Sequence, residues 1–316
     1  MSGGNEVYKR YSAYLKERYG GRVYKLPVNI PVSCPNRADG KNGCSYCDDR
    51  GAGFDNLSGA VSVGEQLKTN MDYIGRTYNA DKFIAYFQNF TNTFLPLSEF
   101  KSYMEMAAKE NIVEIAVSTR PDCIRNEYLD VLDEIKKDKG IEITVELGLQ
   151  SSNCHTLNNI NRGHTLAEYI DAMLLIRQYG FKTCTHIILN MPWDDMDDTV
   201  ETAKIVSALK TDFIKLHALY IVDGTDIGEQ YKRNMFEICS CGEYKNRVIN
   251  FLRYLSPEIY VQRVIGRAPK EGSVFANWGQ SWWKIRDEIE AEMTEKGFCQ
   301  GDKFDYLGGK AVRKFF

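Results

Sequence analysis

Short apolar runs separated by helical patterns recur at intervals of about 30 to 40 residues, and this alternation restricts the fold more than any other feature. Each interval is long enough for a helix to cross between parallel strands. The six runs are Lys25–Val32, Lys82–Phe87, Val113–Val117, Ile141–Leu147, Thr183–Leu189 and Phe213–Tyr220. With a right-handed crossover at each step, the sequence predicts an α/β fold, a partial (β/α)6 TIM-like barrel of parallel strands.

Helix signals fill the gaps between these runs. Thr165-Leu-Ala-Glu168 is a capping box that predicts a helix ending near Gly180, and a second helix is expected from about Asp197 to Lys210. The alternation fades after Val222. We therefore expect a basic-aromatic N-terminal arm (1–24), a barrel (25–222) and a C-terminal extension (223–316) that closes the barrel and shapes the substrate site.

Bulk properties exclude a membrane protein. No apolar run approaches the roughly 20 residues that span a bilayer, and the first residues lack a signal-peptide pattern. We expect a cytoplasmic protein with no membrane partner. Its nine cysteines then predict metal ligation or free thiols instead of disulfides. Four of them stand singly and are interpreted as buried small residues: Cys123, Cys154, Cys184 and Cys299.

Three other cysteines form a metal-ligand pattern near the N-terminus. Nine residues separate Cys34 from Cys44, and two separate Cys44 from Cys47, with no fourth ligand nearby. Three thiolates suit an iron–sulfur cluster with one open iron. The alternative is a zinc knuckle completed by a distant His or Cys.

The run from Cys34, with its Cys-Pro-Asn-Arg start and the aromatic Tyr46 before the last cysteine, resembles the signature of the radical S-adenosylmethionine (SAM) superfamily. The long first loop is typical of its elongator-catalytic-subunit-like subgroup, and the likeness extends from about Leu26 to Ile265. It implies a [4Fe-4S] cluster whose open iron chelates SAM. It also implies an external one-electron donor of flavodoxin or ferredoxin type, and a 5′-deoxyadenosyl radical that abstracts hydrogen from substrate.

The same resemblance assigns cofactor roles to residues after the second and third strands. Gln88 and Asn89 stand where relatives carry a Gly-Gly-Glu or Gly-Gly-Thr turn that presents groups to the SAM amino group. These glycines are missing here, so side-chain carbonyls are expected to replace them. Ser118 begins Ser-Thr-Arg-Pro-Asp and replaces the glutamate of a related motif.

After the fourth strand, Val145–Gln150 is similar to the subgroup's Val-Glu-Leu-Gly-Val-Gln. The resemblance implies that Gln150, next to Glu146 in the motif, reaches the ribose hydroxyls. Arg162, twelve residues later, is expected to pair with the SAM carboxylate, which a planar guanidinium can bind in two places.

The fifth and sixth strands carry further predicted site residues. His186 is expected inside the barrel and Asn190 beside the adenine, although a strand histidine is equally compatible with a core role. Lys215 and His217 alternate on the sixth strand and therefore face the same side. We predict that one or both contact substrate.

The resemblance implies a tRNA substrate, whose wobble-uridine side chain would change from carboxymethylaminomethyl toward aminomethyl. Val7–Lys25 contains six Lys/Arg and five Tyr, a composition that suits RNA. It equally suits a helix whose tyrosines pack on the barrel. Lys310–Phe316 is also basic and aromatic. Two alternatives remain: a radical SAM enzyme acting on a small metabolite or peptide, and a zinc-stabilised RNA-binding protein.

Overall fold

The computed structural model describes residues 6–40, 43–48, 57–269, 272–305, 307 and 309. Within these ranges the chain alternates between strands and helices. The strands are β1 (Val23–Val28), β2 (Lys82–Phe87), β3 (Ile112–Thr119), β4 (Glu142–Gln150), β5 (Lys182–Ile188), β6 (Phe213–His217), β7 (Ile221–Val222), β8 (Tyr260–Arg263) and β9 (Ser273–Phe275).

Ten α-helices lie in the described ranges. They are α1 (Tyr11–Tyr19), α2 (Val63–Tyr78), α3 (Leu97–Ala107), α4 (Asn126–Lys139), α5 (Cys154–Asn159), α6 (Leu166–Gln178), α7 (Met196–Ala208), α8 (Asp226–Lys232), α9 (Cys241–Tyr254) and α10 (Trp282–Glu295). The predicted capping box of α6 is present, and α7 begins with a second one at Asp195 and Asp198. None of these helices is both long and apolar enough to cross a membrane.

Seven strands form one sheet in the order β1-β2-β3-β4-β5-β6-β8, and every neighbouring pair is parallel. The predicted partial barrel is confirmed, and all six predicted strands are present. The seventh, β8, lies where the sequence resembles the segment that returns to the barrel. Lys25 on β1 donates a 2.9 Å hydrogen bond to Gln262 on β8, so side chains bridge the gap between the edge strands.

The two faces of this sheet differ in polarity. Residues of the outer face, such as Leu26, Val117 and Leu147, are almost fully buried against the surrounding helices. The alternate residues point inward; those near the floor form a small apolar cluster with α1, and those toward the cavity are polar or charged, as Lys25, Glu146 and Lys215 show. The helices therefore cover an apolar core on the outer face, and the polar side chains of the interior gather beneath the cavity.

Helix α1 closes the floor of the barrel, at the amino ends of the strands. The Tyr11 and Tyr14 rings pack on Phe213, with centroids 4.9 Å and 4.8 Å away, and the Tyr19 hydroxyl donates to Glu114. Arg18 pairs with Glu142. Of the two interpretations of the N-terminal arm, this arrangement supports packing on the barrel. The second basic segment, Lys310–Phe316, lies outside the described residues.

The C-terminal part contributes strands as well as helices to the fold. Its strand β8 belongs to the main sheet, and β9 pairs antiparallel with β7 in a small ribbon. Helices α9 and α10 begin at the carboxyl ends of the strands and run back toward the floor, where Tyr8 donates to Glu290 of α10. The division at Val222 stays a prediction. The expectation of buried single cysteines holds for Cys184 but is wrong for Cys154 and Cys299, which are exposed at a helix start and in a surface turn.

Candidate active site

A cavity of about 310 Å³ opens at the carboxyl ends of the strands, where barrels of this type place their functional residues. Eleven of the predicted site residues line it: Cys34, Cys44, Tyr46, Cys47, Gln88, Ser118, Glu146, Gln150, Arg162, His186 and His217. Three do not. Lys215 lies just beneath the wall, Asn89 is buried within the turn after β2, and Asn190 hydrogen-bonds both backbone groups of Leu219.

The cysteine loop is held against the segment that follows α5. The Asn36 side chain donates to the backbone oxygens of Asn161 and Arg162, at 2.6 Å and 2.9 Å, and Ser45 N–H donates to Ile160. Gly163 makes this approach possible. Its φ is +78°, and a Cβ there would lie 2.5 Å from the Asn36 side-chain oxygen.

Two arginines lie beside the cysteine sulfurs. Arg162 approaches Cys44 Sγ at 3.6 Å and Arg120 approaches Cys34 Sγ at 3.8 Å. Burial, then the neighbouring Cys44, raises the pKa of the Cys47 thiol to about 11. A positive metal centre would reverse that preference and hold the thiolate form.

The three cysteine sulfurs are not drawn together as the ligands of a single zinc ion would be. Sulfurs that share one tetrahedral zinc lie about 3.8 Å apart, because each Zn–S bond is about 2.3 Å. In the described ranges a single trio of His, Cys, Asp or Glu side chains has its ligand atoms within 4.8 Å of one another, and it is not Cys34, Cys44 and Cys47. They nevertheless face one cavity, which suits a multinuclear centre.

The trio that does meet the distance condition is Glu146, Cys184 and His186, inside the barrel. Two lysines already neutralise it: Lys25 and Lys215 donate to the Glu146 carboxylate at 2.6 Å and 2.5 Å. A cation placed there would meet both ammonium groups. This trio is therefore a poor metal site.

The Glu146 carboxylate is instead the centre of a polar layer under the cavity. It also accepts from His186 Nε2 at 2.8 Å, and Lys215 reaches the Tyr86 hydroxyl at 3.0 Å. Burial raises the pKa of Glu146, but Lys215 and Lys25 outweigh it and hold that pKa well below the usual value. The carboxylate is ionised, and its two cations are fixed.

Two histidines rise from this layer into the cavity, with His217 Nε2 lying 3.3 Å from His186 Nδ1. Burial, then Lys215, lowers the pKa of His186 to about 4. Burial, then Arg263, lowers the pKa of His217 well below its ordinary value. Both rings are therefore neutral at pH 7, and neither carries the imidazolium proton that a general acid would donate.

Two cavity residues adopt the left-handed backbone conformation that favours glycine. Phe90 has φ +52° in the turn where relatives carry glycines, and Asn92 braces that turn by donating to Phe87, Asn89 and Ser118 backbone oxygens. Gln150 has φ +74° at a bulge between β4 and β5. Such strain costs on the order of 1–3 kcal/mol and clusters at functional sites.

Sequence reasoning missed several residues of the site, among them Lys25, Tyr86, Arg263 and Arg267. Lys25 and Tyr86 occupy inward positions of predicted strands, so strict alternation along β1 and β2 was the available signal. The sequence offered no such signal for Arg263, whose position depends on a bulge.

Comparisons with known proteins bear on the family and fold of this chain. A family model described as the radical SAM superfamily matches residues 28–206, and a model of the radical SAM C-terminal domain matches residues 211–295. The chain is 32% identical to YtqA of Bacillus subtilis, over 95% of this chain and 94% of that protein.

A more distant relative is a tRNA uridine(34) acetyltransferase of Methanocaldococcus jannaschii, 28% identical over 44% of this chain and 24% of that protein. Among solved structures, the elongator protein Elp3 of Methanocaldococcus infernus superposes with a TM-score of 0.68 at 18% identity. That match covers 88% of this chain and 64% of the other. At this identity the likeness supports the fold.

Proposed function

The chain belongs to the radical SAM superfamily, and on that premise we propose that it is an enzyme that removes a hydrogen atom from a wobble-uridine side chain of tRNA. The expected change converts a carboxymethylaminomethyl group toward aminomethyl: after hydrogen removal, one further electron would return to the iron–sulfur cluster, and water would hydrolyse the resulting imine, breaking its C–N bond to release glyoxylate and leave the amine. One observation carries the proposal: a single cavity is lined by three cysteines at one end and by cationic and imidazole side chains at the other.

The described residues fit the two cofactors that the family implies. Cys34, Cys44 and Cys47 would hold a [4Fe-4S] cluster, and Arg162 would bind the SAM carboxylate. The Arg162 guanidinium is buried, contacts no carboxylate among the described residues, and leaves its Nε without a hydrogen-bond partner. When bound, the two cofactors would supply reductive cleavage of the sulfonium and a carbon-centred radical that takes hydrogen.

The remaining side chains would bind and orient the cofactor and the substrate and would exclude competing reactions. Gln150 and Gln88 present amide groups to the cavity from strand ends, where backbone hydrogen bonds hold them in place. Glu146 fixes Lys25 and Lys215 beneath the cavity, which keeps the wall rigid. Close positioning matters here because a carbon radical can also attack C–H bonds of the protein.

The tRNA substrate is supported by the relatives and by chemistry. The acetyltransferase relative acts on uridine 34 of tRNA by its name. In the proposed side chain, a methylene lies between a nitrogen and a carboxylate, so both neighbours stabilise the radical left by hydrogen removal. The cationic end of the cavity suits that carboxylate.

A small-molecule substrate is the second candidate, and the position of α1 favours it. Because the tyrosines of α1 pack on the barrel floor, they are not available to stack on RNA bases. A cavity of about 310 Å³ could hold a metabolite of modest size.

The test is anaerobic reconstitution with iron and sulfide, followed by dithionite and SAM. Formation of 5′-deoxyadenosine would support radical SAM activity. Loss of the carboxymethyl group from undermodified tRNA would support tRNA as the substrate. Cys34→Ala should abolish both brown colour and cleavage, while Cys299→Ala, at an exposed cysteine, should preserve them. Cleavage without any change in tRNA would favour the small-molecule alternative.

A further inference from the structure

Arg263 lines the end of the cavity away from the cysteines, on the last strand of the sheet. We propose that Arg263 is the specificity-determining residue that binds the carboxylate of the substrate side chain. The inference rests on the proposed function and adds to it the residue that selects an anionic substrate.

A bulge in β8 places Arg263 in the barrel. The pairing of β6 with β8 shifts between Ile214 and Lys215, so that two consecutive residues, Gln262 and Arg263, face inward. Gln262 accepts a hydrogen bond from Lys25, and an Arg263 guanidinium nitrogen lies 3.2 Å from both ring nitrogens of His217. Regular alternation would have turned one of the pair away.

Two other cations near the cavity, Lys215 and Arg120, are already neutralised. Lys215 is paired with Glu146, and Arg120 forms a two-point contact with Asp122 at 2.9 Å and 2.7 Å. A substrate carboxylate would have to compete with these internal carboxylates. These two cations are therefore poor choices for the substrate anion.

Arg263 has no such internal partner. In the described ranges no carboxylate lies within 4.0 Å of its guanidinium, its Nε is buried without a hydrogen-bond partner, and its contact is the neutral His217 ring. Arg263 is half-buried, so its charge is only partly hydrated, and a carboxylate ligand would supply the missing counter-ion. The arrangement thus reserves a planar, two-point donor for an anion from outside.

Arg162 and Arg263 are then two arginines of the cavity that could each receive a carboxylate. Arg162 stands beside Cys44, where SAM would bind, and Arg263 stands beside His217 at the other end. One guanidinium for SAM and one for the substrate would orient both molecules within a single cavity. An uncharged side chain would leave Arg263 unneutralised, and this penalty is the basis of the expected selectivity.

The experiment measures binding to the anaerobically reconstituted protein by equilibrium dialysis. The ligands are the nucleoside 5-carboxymethylaminomethyluridine and its primary amide, which has similar shape without the charge. Arg263→Gln should weaken binding of the acid by about 10- to 100-fold and leave binding of the amide unchanged. Arg263→Lys should fall between, because an ammonium keeps the charge but loses the planar fork.

Arg233→Gln is the matched control, since it removes an exposed positive charge after α8, outside the cavity. Iron content and thermal midpoint show whether each variant is folded. Equal weakening of acid and amide, or no weakening of the acid, would overturn the assignment of Arg263.

N-propylglycine, a small amino acid with the same amine and carboxylate, separates this inference from the proposed function. If the wild-type protein ignores the nucleoside but binds N-propylglycine in an Arg263-dependent manner, the carboxylate site stands and the tRNA substrate fails. If the wild type binds neither acid, Arg263 is not a carboxylate site.

Discussion

Glu146 is the residue on which the barrel interior depends, because side chains from three other strands meet its carboxylate. Lys25 comes from β1, His186 from β5 and Lys215 from β6. The motif around Glu146 was readable in the sequence. Its partners were not, because which inward residues meet across a barrel depends on strand order and register.

Glu146→Gln is expected to destabilise the protein by about 3–5 kcal/mol, because it leaves the buried Lys215 ammonium and the half-buried Lys25 ammonium without a counter-ion. Glu142→Gln on the same strand is the control. Glu142 pairs with Arg18 and Lys136 near the surface, so its loss should cost at most about 1 kcal/mol. Denaturant unfolding of both variants measures the difference, and equal effects would contradict the assigned importance of Glu146.

The histidine pair gives stability a defined pH dependence. Since the pKa of His186 is lowered to about 4, the unfolded chain binds this proton below about pH 6.5 while the folded protein does not. Stability therefore falls as pH drops from 6.5 toward 4. Asp194, whose pKa burial raises to about 6, acts in the opposite direction, so a single curve mixes several groups.

A difference measurement isolates His186. The thermal midpoints of wild type and His186→Gln should converge as pH falls from 7 to 5, because only the wild type loses stability through this imidazole. His155→Gln, at an exposed histidine, should stay parallel to the wild type. A constant gap between wild type and His186→Gln would show that this histidine is not held neutral.

At the scale of elements, the strands were predictable where burial makes them continuous apolar runs, as in β2 through β6. The seventh strand, β8, is short, ends in Gln262 and Arg263, and contains a bulge, so no apolar pattern marked it. Helix α1 was ambiguous for a different reason. Tyrosine and lysine side chains suit both a nucleic acid and a barrel floor, and only tertiary packing separates the two.

Because α1 packs on the barrel floor, two substitutions of Tyr11 should affect the stability of the protein differently. Its ring packs edge-on against Phe213, but its buried hydroxyl has no hydrogen-bond partner. Tyr11→Ala should lose about 3–5 kcal/mol, since a large buried ring is removed. Tyr11→Phe keeps the ring, removes the unsatisfied hydroxyl and should be neutral or stabilising. Thermal unfolding distinguishes them, and a strongly destabilised Tyr11→Phe would mean that the hydroxyl has a partner.

At the scale of the whole molecule, the two ends of the barrel have separate tasks. The floor is closed by α1 and its ion pairs, whereas the cavity with its cysteines and arginines opens at the carboxyl ends of the strands. A large substrate must approach from that open end. The N-terminal arm is therefore on the wrong side to hold a nucleic acid over the site.

Because the cavity and α1 lie at opposite ends of the barrel, the proposed function predicts that a positive charge at the cavity affects tRNA binding and that one on α1 does not. Arg267 lines the cavity. Arg267→Gln should weaken tRNA binding several-fold and should lower the magnitude of the slope of log K against log salt concentration by about one. Lys16→Gln, on the exposed face of α1, removes the same charge from the floor and should change neither. Filter binding at several salt concentrations measures both. The opposite result, with Lys16 controlling the salt dependence, would place the nucleic acid at the floor and separate its binding from the cavity in which the chemistry must occur.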